Sequence, residues 1–220
     1  LFRSAQVADI TGKYLLPGAI DAHTHLDCVC SGIPTSDDYF TGTRAAACGG
    51  VTTVIDYLLQ DAGELLPDTL QKRVAMASPK VAVDIAFHIG VSDLSRPELL
   101  HSLKDAVRAG VSSFKAYMVY DFGLDDGALY RLFGEAAQHG ALVTVHAENR
   151  GLLTERVRQY LADGKTDPWW HYMSRDEAVA AEANRRAIAL AKAAGAPLYL
   201  VHLTDADGVA AVTEARDAGY

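Results

Sequence analysis

The sequence predicts an α/β fold of six consecutive βα units, which allows either a doubly wound sheet or an incomplete (β/α)8 barrel. Three observations carry this. Short β-branched runs recur with almost unbroken apolar character, as in strands buried on both faces of a parallel sheet. Amphipathic helical patterns lie between them, and four of these end on a glycine, the usual helix stop. Strand starts near 19, 51, 81, 113 and 142 are about 30 residues apart, the length of one βα unit.

The first dozen residues, closing on Thr11-Gly12-Lys13, read as the tail of a preceding β element. The strand runs are Ala19–His25, Val51–Tyr57, Val81–Gly90, Ser113–Val119, Leu142–Ala147 and Leu198–Leu203. A helical pattern over Asp37–Cys48 stops at Gly49-Gly50, and one over Pro97–Ala109 carries Leu99, Leu100, Leu103 and Val107 on one side. Asp126–His139 repeats the pattern with Leu129, Leu132, Phe133 and Ala136, and Asp176–Ala194 is an alanine-rich helix. The polar stretch Asn149–Arg175 delays the sixth strand and reads as a long loop with one extra helix. The chain stops at Tyr220 after a sixth helix, two units short of a full barrel.

Composition narrows the class. The chain has 220 residues, 50% hydrophobic and 22% charged, with a formal charge of −8 and no Lys/Arg cluster. That balance argues against nucleic acid or an anionic membrane as partner. No apolar run is long enough to span a bilayer, and no basic-then-apolar leader opens the sequence. Three cysteines, Cys28, Cys30 and Cys48, make an odd number, which fits a reducing compartment, the cytoplasm, better than a disulfide framework. Cys28 and Cys30 are read as loop thiols.

Chemistry is suggested where polar residues interrupt the strands. His23 and His25, His88, Lys115, His146 and His202 each fall late in a strand run. In a (β/α) barrel all those ends meet at one mouth. An H-x-H pair on a strand points to one face and can grip one cation, though a lone strand histidine is more often a satisfied core residue. Several buried imidazoles at matching strand ends each need a partner, and a shared metal supplies one. Lys115, inside Ser113-Phe114-Lys115-Ala116-Tyr117, has two readings. It can reach the strand end or pair with a carboxylate. Alternatively, burial lowers its pKa, so that the neutral amine takes up CO2 as a carbamate able to bridge two cations.

These residues lie in longer matching text: Leu16-Pro17-Gly18-Ala19-Ile20-Asp21-Ala22-His23-Thr24-His25-Leu26-Asp27, Gly49-Gly50-Val51-Thr52-Thr53, Ser113-Phe114-Lys115, Val145-His146-Ala147-Glu148-Asn149 and Ala196-Pro197-Leu198-Tyr199-Leu200-Val201-His202. In order and spacing, over nearly the whole chain, this resembles the D-hydantoinase and dihydropyrimidinase family of the amidohydrolase superfamily. The resemblance implies a (β/α)8 TIM-like barrel of the metal-dependent hydrolase type. Residues 1–14 would be the tail of a small β-sandwich domain and 15–220 a partial barrel. It implies two divalent ions, usually zinc, with His23 and His25 on the more buried one, His146 and His202 on the second, and carboxylated Lys115 bridging both. A hydroxide between the ions would attack the ring carbonyl of a cyclic ureide or amide, giving N-carbamoyl amino acids. Tyr120 matches the family's tyrosine that donates to the developing oxyanion. The family's remaining ligand and proton shuttle, an aspartate after the seventh strand, falls beyond Tyr220. A homo-oligomer, dimer or tetramer, is implied for the full-length protein.

Two other readings remain open. Dihydroorotases carry arginine directly after the second histidine, where this chain has Leu26 and then Asp27, which argues against an anionic substrate there; allantoinase is less clearly excluded. Non-catalytic scaffold relatives of dihydropyrimidinase have lost metal ligands that this chain keeps.

Overall fold

The computed structural model describes residues 8–30 and 32–220, the Cys30 side chain excepted. The strands are β1 (Ala19–Thr24), β2 (Val29–Cys30), β3 (Ile33–Pro34), β4 (Val51–Leu59), β5 (Asp84–Gly90), β6 (Ser113–Tyr117), β7 (Leu142–His146) and β8 (Leu198–Leu200). The helices are α1 (Tyr39–Cys48), α2 (Leu66–Ala77), α3 (Pro97–His101), α4 (Leu103–Arg108), α5 (Asp126–Gln138), α6 (Arg150–Ala162), α7 (Pro168–Met173), α8 (Glu177–Ala193) and α9 (Ala206–Asp217). Among the described residues, no helix is long and apolar enough to cross a membrane.

Six strands form one parallel sheet in the order β1-β4-β5-β6-β7-β8, and β2 and β3 form a separate small hairpin. The order decides between the two predicted architectures. A doubly wound sheet reverses direction at a switch point. Here every strand adds beside its predecessor, so right-handed crossovers put every helix on the same face. Curvature agrees. Five spacings of about 4.8 Å would hold the outer strands of a flat sheet about 24 Å apart. Yet the ring centres of His23, on β1, and His202, just past β8, are 5.7 Å apart. The sheet therefore curls into an incomplete barrel.

The alternation of side chains along each strand explains the rest. Phe114 and Ala116 of β6 and Val143 and Val145 of β7 point outward into the main core. There they meet Leu103 and Ala106 of α4, Leu129, Leu132, Phe133 and Ala136 of α5, and Ala183, Ala187 and Ala191 of α8. Each fully buried Leu or Phe contributes about 1.5–3 kcal/mol. The small side chains of α8 let that helix lie close to the sheet. The intervening residues, Lys115, Tyr117, Thr144 and His146, point inward with Tyr57 and His88. Register keeps them level, with Tyr57 beside His88, Lys115 beside Thr144 and Tyr117 beside His146.

Several boundaries differ from the sequence reading. Helix α2 follows Leu65 with Pro67 in its first turn and was not anticipated. The helix expected over Pro97–Ala109 breaks at Ser102, whose hydroxyl donates back to Leu99 O at 2.7 Å and accepts from Leu66 N at 3.1 Å, diverting it from the helical pattern. The stretch Asn149–Arg175 holds two helices rather than one; α6 buries only Leu153, so it lacks the apolar stripe that would have announced it. Strands β1 and β8 end at Thr24 and Leu200, leaving His25 and His202 just beyond. Of the segment assigned to a β-sandwich tail, residues 1–7 lie outside the described residues, and 8–14 are exposed with a turn at Thr11-Gly12.

Candidate metal centre

The inward-facing residues gather at the C-terminal end of the sheet. His23 and His25 have ring centres 5.3 Å apart, and His146 and His202 4.6 Å. Two imidazoles held by one tetrahedral ion, about 2.0–2.1 Å from each nitrogen, place their centres about 5 Å apart. Both pairs have that spacing. Lys115 is 1% exposed. Its Nζ lies 4.9 Å from the Tyr57 ring centre and 5.4 Å from that of Tyr117. The ring of Tyr120 is 5.5 Å from that of His146. All six residues singled out in the sequence as candidate site residues are thus brought together.

Protonation favours metal binding. Burial, helped by Lys115 and neighbouring histidines, pushes His23 down to about 4. His202 is also pushed to about 4, by burial, then His146 and Lys115. His25 is lowered for the same reasons, burial first. Burial alone brings Lys115 down to about 7, and no carboxylate among the described residues pairs with it. Near neutral pH these three imidazoles carry a free lone pair, and a good share of the lysine is an unprotonated amine that can react with CO2. That is the protonation state ligands need. Among the described residues, no three His, Cys, Asp or Glu side chains close on a single point. The histidines come as two pairs, and a carbamate on Lys115 would supply the donor that neither pair has.

The surroundings hold these groups in place. Asp56 is fully buried and accepts hydrogen bonds from Thr24 Oγ1 and Leu26 N, both at 2.9 Å, and from Tyr39 Oη at 3.3 Å. It thereby clamps the turn that carries His25. His88 lies 2.5 Å through Nδ1 from Ser113 Oγ, and its Nε2 donates to Ala22 O at 3.1 Å. Both ring nitrogens are satisfied, so His88 braces the backbone beside His23. Tyr57, 5% exposed, stacks on His88 and His25 and lies 4.5 Å from His23. It floors the pocket. Sequence reasoning missed Asp56 and Tyr57. The signal for Asp56 was a carboxylate inside an apolar run, the same signal that drew attention to Lys115.

Asp27, Tyr120 and His202 have φ of 47°, 69° and 37°, the non-glycine residues of the described chain in the left-handed region. All three follow strand ends at the mouth. Such strain, about 1–3 kcal/mol each, clusters where structure serves a site. His101 ends α3, His139 caps α5 and His171 lies on α7.

The sequence model of the amidohydrolase family matches residues 14–211. The chain belongs to the amidohydrolase family. This amidohydrolase chain is 43% identical to the D-hydantoinase of Streptomyces coelicolor, over 99% of its own length and 47% of the relative's. It is 36% identical to the dihydropyrimidinase of Rattus norvegicus, over 99% of its length and 42% of the relative's. The dihydropyrimidinase structure from Brevibacillus agri superposes with a TM-score of 0.95 at 43% identity, covering 98% of this chain and 47% of that one. The L-hydantoinase structure from Arthrobacter aurescens gives 0.85 at 27% identity, over 99% and 48%. The amidohydrolase chain spans about half the length of the curated relatives it matches.

Proposed function

We propose that the full-length protein hydrolyses the ring C–N bond of hydantoins or dihydropyrimidines to give N-carbamoyl amino acids. The observation that carries this reading is the crowding of four histidines around a buried Lys115 that has no carboxylate partner among the described residues, beside Tyr120. His23 and His25 would hold one divalent ion and His146 and His202 a second, with Lys115 joining them as its carbamate. Zinc suits this nitrogen-rich donor set. Ions bound there supply Lewis acidity and an activated water at neutral pH. Tyr120, on its strained turn, donates its hydroxyl to the carbonyl oxygen as charge develops. Tyr117 and Phe122, which packs edge-on to Tyr117, form an apolar wall for a ring substituent. Asp27 is paired with Lys80 at 2.6 Å, and Leu26 stands where dihydroorotases carry arginine, which disfavours a dihydroorotase.

The test uses the full-length protein with dihydrouracil and 5-substituted hydantoins. Ring opening that stops on chelation and returns with zinc is expected; absence of turnover on any cyclic amide by metal-loaded protein would overturn the reading. A cytoplasmic homo-oligomer, dimer or tetramer, belongs to the same proposal, and light scattering on the full-length protein tests its assembly.

A further inference from the structure

We propose that Glu148 and Arg175 are positioning residues for His146, tying the helical insertion after β7 to the second metal-binding pair. The inference rests on the metal-site reading of His146. Glu148 Oε2 is 2.8 Å from His146 Nε2, and its other oxygen, Oε1, is 3.3 Å from Arg175 Nε. A carboxylate can only accept, so Nε2 carries the proton and Nδ1 is the nitrogen left with a lone pair. Glu148 thus selects the tautomer and holds the ring in one orientation.

Both ends of the relay are anchored. Asn149 N donates to Val179 O at 2.9 Å, and the Asn149 side chain caps α6, which fixes the backbone next to Glu148. Arg175 follows Ser174, the fully buried C-cap of α7, and its Nη1 reaches Ser174 Oγ at 3.3 Å and His171 O at 3.4 Å. The path runs from the end of α7 through Arg175 and Glu148 to the imidazole. Glu148 and His146 are 14% and 17% exposed in their side chains, so water competes little for these contacts. Carboxylates that hydrogen-bond a metal-binding histidine orient it and strengthen it as a donor, and their loss typically weakens metal binding about 10–100-fold.

The experiment compares full-length wild type with Glu148→Leu, Glu148→Gln, Arg175→Gln and Arg175→Lys. Zinc affinity is read by competition with a chromophoric chelator, and ligand geometry by the absorption of the cobalt-substituted protein. One of the two ions should weaken about 100-fold in Glu148→Leu and about 10-fold in Glu148→Gln, which keeps an acceptor, while the other ion is unaffected. Arg175→Gln should weaken the same ion by a smaller factor and move the cobalt absorption bands, and Arg175→Lys should recover part of both. Wild-type affinity and an unchanged cobalt spectrum in folded Glu148→Leu would overturn the inference alone. Should Glu148→Leu fail to fold, an unaltered Arg175→Gln would overturn it. Wild-type protein that binds no metal would overturn the underlying reading and this inference together.

Discussion

Replacing Lys115 with methionine should make the metal-free protein more stable, although it removes a proposed ligand. Methionine matches the length of the lysine stem and carries no charge into the pocket. The magnitude follows from the lowered pKa. Lys115 falls from 10.5 to about 7 in the fold. Between those values the unfolded chain holds a proton that the folded chain has released, so wild-type stability rises with pH. A tenfold loss of proton affinity on folding is worth about 1.36 kcal/mol. The whole drop therefore amounts to a penalty of about 4 kcal/mol at pH 7, falling to about 2 kcal/mol at pH 9. Relaxation of the pocket on substitution trims the gain, and Lys115→Met should exceed wild type by about 2–4 kcal/mol at pH 7 and about half that at pH 9. The assay is urea unfolding of the full-length protein with chelator in CO2-free buffer at both pH values. Zinc and bicarbonate should then reverse the order, since only the wild type gains binding energy from two ions. A variant no more stable than wild type at pH 7, or a gap unchanged at pH 9, would refute this account of Lys115.

Asp56, pushed up to about 6 by burial, keeps its proton in the fold at a pH where the unfolded chain has lost it. Wild-type stability should therefore fall relative to Asp56→Asn by about 1–3 kcal/mol from pH 4 to pH 7, as thermal unfolding at each pH would register. Tyr120→Phe should lower kcat about 10²–10³-fold with a smaller change in KM, measured by steady-state ring opening. Lys115→Ala should lose bound metal by elemental analysis and recover part of it in acetate, which can occupy the carbamate's place. Leu129→Ala, at a fully buried position of α5, should cost about 2–5 kcal/mol in urea unfolding.

The fold was legible in the sequence because buried parallel strands and glycine-stopped helices leave strong local signals. All six sheet strands were anticipated, and only their ends moved. Those ends depend on interactions that no local pattern reports, such as Asp56 capping Leu26 N from the neighbouring strand. Helix α2 escaped notice, and Asn149–Arg175 holds two helices where one is expected, because these segments lack a long apolar stripe; α6 buries a single leucine. The candidate site was legible for a different reason. A charged or polar residue in an apolar strand is conspicuous, and His23, Lys115 and His146 stand out in this way. Tyr57 did not, because an aromatic residue is unremarkable in a strand and its role as floor depends on the barrel's curvature. Arg175 was invisible because its partner, Glu148, is brought to it only by the tertiary packing of the insertion after β7, in which α7 and α8 both pack on α6.

The strand order has a consequence for how the protein is made. Each strand of the sheet pairs with the one that left the ribosome just before it, and none has to be inserted between two that are already joined. Loop closure spans about 30 residues, one βα unit, at the first four steps and is longer only at the last, where α6, α7 and α8 lie between β7 and β8, so ordering entropy is met in instalments instead of one long-range event. The nascent polypeptide can therefore zip up from its N-terminus as synthesis proceeds. The histidines and lysine arrive at the mouth one unit at a time, and His202 is the last of them to be translated.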